Sequence, residues 1–320
     1  MNTREEGGAV SVIDGEPPAI HAGRRSPGIA FAGQGVRADA IRAVLHAHRD
    51  HPLVGMLLAE LGSSAADELD LTDIRVSTAA TYVAGLVEAY SRFGPAADVP
   101  VVVGHSLGEI TALVYARAVR PEDGLRLALA RGRICHTEQL RRPGAMIAVI
   151  GLDLAAADRL RRQVSAEGHG VLEIAGVNGS RQIVLSGEPA AVASVAARLE
   201  TSSARGVLLP IGGGFHSSLM AGALPHWRRE LRSLGIRPSR VTVVSCIDSR
   251  PHRDPEAFRA LLESALVRPV LWSDTLEAVR GLGVEQLWEA GPGRVLRSLA
   301  RRGGAVEFVD GPAPRGTRDG

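Results

Sequence analysis

"VVVGHSLGEITALVYARA", residues 101–118, runs three valines into a glycine-flanked turn and then into a helix-like stretch. A short, continuously apolar, β-branched run bounded by glycine reads as a buried strand, and a strand that passes straight into a helix is half of a βα unit. The same alternation extends outward. "GIAFAGQG" (28–35) reads as a strand ending in a glycine turn, and helical patterning follows from about 38 to 61. "STAATYVAGLVEAYSRFG" (77–94) reads as a further helix before the valine strand, and 106–118 as the helix after it. "VTVVSCIDS" (241–249) and "VEQLWEAGPG" (284–293) supply later strands. Repeated strand–helix alternation predicts an α/β fold with a parallel sheet.

The pattern changes in the middle of the chain. "GAMIAVIGL" (144–152) reads as a strand and "DLAAADRLRRQVSAEG" (153–168) as a helix. "GVLEIAGVNG" and "SRQIVLSG" form two strands with Asn178-Gly179 as the hairpin signal. A helix at 188–200 and a strand at 205–211 complete a β-α-β-β-α-β order, the ferredoxin-like unit. The predicted organisation is a loose arm at 1–26, a core made of 27–142 and 212–310, an inserted subdomain at 143–211, and a tail at 311–320.

Composition narrows the chemistry. The 320 residues are 45% apolar with a net charge of +2, which suits a globular core and gives no nucleic-acid signature. All 37 basic residues are arginine, so a Schiff-base lysine and a phosphate-loop lysine are both excluded. Cys135 and Cys246 are far apart and form neither a zinc pattern nor a disulfide framework; no metal site is expected. The N-terminus lacks a secretory pattern and no stretch of 18 apolar residues occurs, which points to a cytoplasmic protein without a membrane span.

"GHSLG" (104–108) fits G-x-S-x-G, in which a sharp strand-to-helix turn holds a serine outward. Ser106 is therefore a candidate nucleophile, with the Leu107 N–H at the helix start ready to donate to a developing oxyanion. The structural alternative is a helix-capping serine. His105 is adjacent but points away across a strained turn, so it is a poor base. Among ten histidines, His216 in "IGGGFHSSLM" stands out, because it follows the last strand of the insertion on a glycine-rich approach. "GQGVRA" (33–38) mimics a dinucleotide fingerprint but lacks the second strand ending in an acid, so nucleotide binding is disfavoured.

Together, "FAGQG", "GHSLGE", "RGR" (131–133), "GAMIAVIGL", "VNGSRQIVLSG", "GGFHSSLM" and "EAGPGRVL" resemble, in order, the malonyl-CoA:acyl carrier protein transacylases and the acyltransferase domains of polyketide synthases. The resemblance covers roughly residues 28–302 and suggests a stand-alone, trans-acting member. It implies an α/β-hydrolase-like core with an inserted ferredoxin-like subdomain, and ping-pong transfer through an acyl-serine. No bound cofactor is implied; CoA or phosphopantetheine thioesters are substrates and an acyl carrier protein is the partner. Ser106 corresponds to the nucleophile, His216 to its base, and the Gln34 and Leu107 amides to the oxyanion hole. A main-chain carbonyl near Leu271 would orient the base. Arg131 corresponds to the arginine that pairs with a malonyl carboxylate, a match of planar fork to carboxylate contributing about 1.5–3 kcal/mol. Asn178 and Phe215 would line the pocket, and Arg294, Arg297 and Arg301 would share a helix face toward an acidic carrier.

Some positions depart from that pattern. Gly213 and Gly214 replace bulkier residues before Phe215 and His216 and would enlarge the pocket; Cys135 and His136 replace Met-Gln. Malonyl transfer in polyketide-type biosynthesis is the first expectation. Transfer of a larger acyl or aminoacyl chain between carriers, an editing acyl-carrier hydrolase, and a non-catalytic carrier-binding scaffold are the alternatives.

Overall fold

The computed structural model describes residues 26–94, 99–300 and 305–313. Most of the expected arm (1–26) and tail (311–320) lies outside the described residues.

The chain begins with strand β1 (Gly28–Phe31) and helices α1 (Ala38–Ala47), α2 (Pro52–Leu61) and α3 (Ile74–Phe93). Strand β2 (Val101–Gly104) leads into α4 (Gly108–Tyr115) and α5 (Pro121–Arg141). The middle segment holds β3 (Ala145–Ile150), α6 (Leu154–Ala166), β4 (Leu172–Gly179), β5 (Gln182–Gly187), α7 (Pro189–Glu200) and β6 (Arg205–Leu208). After α8 (Leu224–Ser233) come β7 (Thr242–Val244), β8 (Pro251–His252), α9 (Pro255–Ser264) and α10 (Trp272–Gly281). Strand β9 (Gln286–Ala290), α11 (Val295–Ala300) and β10 (Glu307–Val309) close the described chain.

Strand β2 sits in the interior of a six-stranded sheet, β10-β9-β1-β2-β7-β8, parallel except for the last pair. Its three valines are fully buried because helices cover both faces, the arrangement that a continuous apolar strand requires. The fold is the mixed α/β class with a parallel-dominated sheet. A second sheet, β4-β5-β3-β6, is antiparallel throughout and carries α6 and α7 over its own core of Ile147, Val149, Ile183, Leu185 and Val195. The two sheets are joined at the segment between α9 and α10. Val270 donates its N–H to Ala175 O at 2.9 Å and accepts from Val177 N–H at 2.8 Å.

Two local expectations are corrected. The 38–61 stretch is two helices, because His51 caps a new helix through Nδ1 (3.1 Å from Leu53 N) and Pro52 occupies its first turn. The β4–β5 hairpin turns at Ser180 and Arg181 rather than at Asn178-Gly179. The register shifts between Val177 and Gly179, so β4 runs through that pair. Among the described residues no helix is long and apolar enough to cross a membrane.

Candidate active site

Ser106 stands at the end of β2 in a left-handed conformation, φ 55°. Such a value is uncommon outside glycine and is held only where the surroundings enforce it. They do so here through glycine. A Cβ on Gly104 would fall onto the backbone of Gly108 and Glu109, and one on Gly108 would strike the Phe31 carbonyl. Only with both side chains absent can the helix start fold back this tightly on the strand. The His105 N–H donates to Phe31 O at 2.9 Å, tying the turn to β1.

His216 also has a left-handed backbone, φ 58°, in the segment that follows β6. Its Nε2 lies 2.7 Å from Ser106 Oγ. Its Nδ1 lies 2.9 Å from the Arg268 carbonyl, and its own N–H donates to Leu266 O at 3.0 Å. The orienting carbonyl is therefore that of Arg268, not of Leu271. Leu271 lies one turn further on, just before α10, where its carbonyl accepts from Thr275 Oγ1 at 2.7 Å and Ser249 Oγ at 3.2 Å. Burial first, and then the Arg131 charge, push the His216 imidazole down to about 3, so the ring is neutral.

Arg131, on α5, is 6% exposed, and its Nη2 donates to Ser106 Oγ at 3.2 Å. Among the described residues no carboxylate lies within ion-pairing distance of it. A buried guanidinium without an anion is a costly arrangement, and burial lowers its pKa. The Gly33–Gln34 turn packs on the strand-to-helix elbow that holds Ser106: a Cβ on Gly33 would meet the His105 carbonyl and lie 3.4 Å from Leu107 N. Gln34 is anchored by its side chain, which donates to Thr78 Oγ1 at 3.1 Å. Among the described residues no protein acceptor takes the Gln34 or Leu107 N–H.

A cavity of about 220 Å³ opens onto Ser106 and His216. The small sheet supplies Met146, Ala148, Ala175, Val184, Asn178 and Gln182 to its wall, and Phe215 faces it from the other side. Asn178 Oδ1 sits 3.1 Å from His105 Nε2, and the His105 ring meets Trp272 edge-on, 5.2 Å between centroids. Gly213 and Gly214 do not enlarge this cavity. A side chain on Gly213 would collide with the Phe215 ring, and one on Gly214 with Leu219, so neighbouring residues fill the space that the glycines leave.

The arginines expected on one helix face differ in exposure: Arg294 is 68% exposed at its side chain, whereas Arg297 is largely covered. Helix α11 starts at Val295, after Arg294. Arg297 is only 15% exposed at its side chain and pairs with Asp310 at 2.8 Å, while Arg294 reaches the same carboxylate at 3.6 Å. Arg301 lies outside the described residues.

Residues that sequence reasoning passed over complete the surroundings. Cys246, just after β7, accepts the Ser106 N–H on Sγ at 3.4 Å and donates to Glu109 Oε2 at 3.3 Å. Glu109 is the last letter of "GHSLGE", but nothing local signals that it is buried against a residue 137 positions away, Cys246. Among the described residues no group of three or more His, Cys, Asp or Glu could hold a metal ion.

Comparison with known proteins adds to this geometry. The family described as acyl transferase domain matches residues 51–303. The polyketide biosynthesis protein ThaF of Burkholderia thailandensis is 32% identical over 280 residues, 85% of this chain but 24% of that longer protein. The malonyl CoA-acyl carrier protein transacylase of Escherichia coli K12 is 30% identical over 285 residues, covering 85% of this chain and 91% of the relative. Among solved structures, an acyl-carrier-protein S-malonyltransferase from Burkholderia pseudomallei superposes with a TM-score of 0.77 at 30% identity, over 90% of this chain and 96% of that one.

Proposed function

This chain belongs to the acyl transferase domain family, and from that premise we propose that it moves a malonyl group from CoA to the phosphopantetheine thiol of an acyl carrier protein. Ser106 Oγ attacks the thioester carbonyl while His216 Nε2 takes its proton, across the 2.7 Å hydrogen bond. The Arg268 carbonyl accepts from Nδ1–H, which fixes the tautomer with Nε2 free to act as base and steadies the imidazolium once formed. The tetrahedral oxyanion receives the Gln34 and Leu107 N–H groups, each such donor contributing about 10²- to 10³-fold in rate. Collapse expels the CoA sulfur, which takes the proton from His216 and leaves an ester on Ser106. The carrier thiol then enters, gives its proton to His216, and carries the acyl group away by the reverse steps.

The observation that carries the malonyl reading is the buried Arg131 guanidinium, 3.2 Å from Ser106 Oγ and, among the described residues, with no carboxylate within ion-pairing distance. A carboxylate on the acyl group supplies that anion within two carbons of the scissile carbonyl. It also offsets the positive field that, after burial, holds the His216 pKa down, so an acidic acyl group makes the base stronger as it binds. The ThaF relative favours a polyketide-type setting.

A second reading, transfer of a bulkier acyl chain, is favoured by the apolar cavity wall of Met146, Ala148, Ala175 and Val184. Incubation with a panel of acyl-CoA and acyl-carrier thioesters, followed by intact-protein mass measurement, separates the two. Malonyl uptake that Arg131→Ala weakens supports the first reading. Uptake only of larger acyl groups overturns it in favour of the second, and rapid loss of label to water points to a hydrolase.

A further inference from the structure

In the turn that aims Ser106, the Ser106 N–H has no backbone acceptor among the described residues. That N–H donates instead to Cys246 Sγ at 3.4 Å, and the Cys246 S–H donates to Glu109 Oε2 at 3.3 Å. The three residues come from the end of β2, the segment after β7 and the first turn of α4, so the chain of bonds ties the strand, its sheet neighbour and the following helix around one φ-positive residue. Glu109 is 3% exposed and Cys246 is fully buried, and neither lines the cavity where the acyl group would sit. Burial keeps the Cys246 thiol well above its usual range, so it remains S–H and serves as donor. Burial likewise raises the Glu109 carboxyl to about 7. The groups facing it are Ser245, Cys246 and Asp248 from the segment after β7 and Arg131 from α5. The Ser245 and Cys246 bonds and the Arg131 charge favour its ionised form, and Asp248 opposes it.

We infer that Glu109 is a positioning residue for Ser106 that acts through Cys246: its carboxylate turns the thiol hydrogen away, leaving the sulfur to hold the Ser106 N–H and with it the left-handed turn that points Oγ at His216. The inference rests on Ser106 being the nucleophile and not on which acyl group it accepts. An ionised acceptor strengthens the hydrogen bond from the thiol to Glu109 and makes the sulfur the better acceptor in turn. The fraction of enzyme with a well-held nucleophile therefore follows the ionisation of Glu109. Reactivity of Ser106 rises with pH through the neutral range, a limb that His216 cannot produce with its pKa pushed to about 3.

The test measures Ser106 labelling by a fluorophosphonate, which reports nucleophilicity whatever the natural acyl group, alongside loading from malonyl-CoA, both from pH 5 to 9. The native protein should show the neutral limb. Glu109→Gln, which keeps an acceptor but not the charge, should lose the limb and react about 3- to 10-fold more slowly at pH 8, with KM for malonyl-CoA unchanged. Cys246→Ala should behave the same way, and Cys246→Ser, which can both donate and accept, should restore the limb. A limb that persists in Glu109→Gln, or a native rate in a folded Cys246→Ala, overturns the inference. Loss of the limb in fluorophosphonate labelling with no malonyl loading by the native protein would uphold it and remove the malonyl reading alone.

Discussion

The six-stranded and four-stranded sheets meet across a single cavity and contribute different things to it. The large parallel sheet and its connections bring Ser106, Arg131 and, on the segment entering α8, His216; Arg131 and His216 are buried, Ser106 is half-buried, and hydrogen bonds join them. The small antiparallel sheet brings Met146, Ala148, Ala175 and Val184, side chains that touch one another and the acyl space but carry no chemistry. On the proposed reading, reactivity depends on a few atoms held within hydrogen-bond reach, and selectivity on the cavity wall that the small sheet supplies. The Val270 bridge to β4 links them, because the same segment offers the Leu266 and Arg268 carbonyls to His216.

The sharpest way to break that division is to remove the proposed nucleophile. Ser106→Ala should abolish covalent acyl uptake and lower transfer by about 10⁴-fold or more, measured by intact mass and carrier loading; residual labelling elsewhere would dissolve the assignment of chemistry to the large sheet. Arg131→Ala should cut malonyl loading by roughly 10- to 150-fold while changing acetyl loading far less, read as kcat/KM for the two thioesters. Equal losses for both would mean that Arg131 supports the elbow rather than the acyl carboxylate.

The third comparison is made on stability. The folded pKa of His216, about 3, lies below the ordinary imidazole value, so the unfolded chain takes up a proton first as pH falls. Stability present above about pH 6.5 is then lost as pH falls toward 3. His216 alone should account for about 2 kcal/mol between pH 7 and pH 5, seen in denaturant melts as a difference that His216→Gln removes. The smallest effect belongs to the small sheet. Ala175→Leu should narrow the cavity and lower kcat/KM for longer acyl groups by about 10-fold, with malonyl loading changed by less than about 3-fold. A comparable loss for malonyl would mean that β4 shapes the reacting geometry as well as the pocket.

Much of the fold was legible because its signals are local. Three consecutive valines demand burial on both faces, and the shift from strand–helix alternation to β-α-β-β-α-β marks a second sheet within a few residues. Ser106 was legible for the same reason, since G-x-S-x-G encodes its own turn. His216 stood out by its place after the last strand of the insertion, with the role of base implied by the family resemblance; Leu271 was the wrong carbonyl because nothing in "RPVLW" says which of five peptide groups will face an imidazole 52 residues away. Asn178-Gly179 was misplaced as a turn because its hairpin propensity competes with a bulged strand that carries Asn178 toward His105. The pairing of Arg297 with Asp310 was not legible either, because helical spacing says nothing of a carboxylate that comes from another segment.

By itself, then, the sequence determined the two kinds of sheet, the strained serine turn and the chemical type of each residue around it, because backbone sterics and apolar periodicity act over a handful of positions. Only the tertiary structure decided that the Arg268 carbonyl faces His216 Nδ1, that Phe215 and Leu219 occupy the room left by Gly213 and Gly214, and that Cys246 and Glu109 stand behind Ser106. Those relations are contacts between segments tens to more than a hundred residues apart. They are set by which surfaces pack together rather than by any preference of the residues themselves.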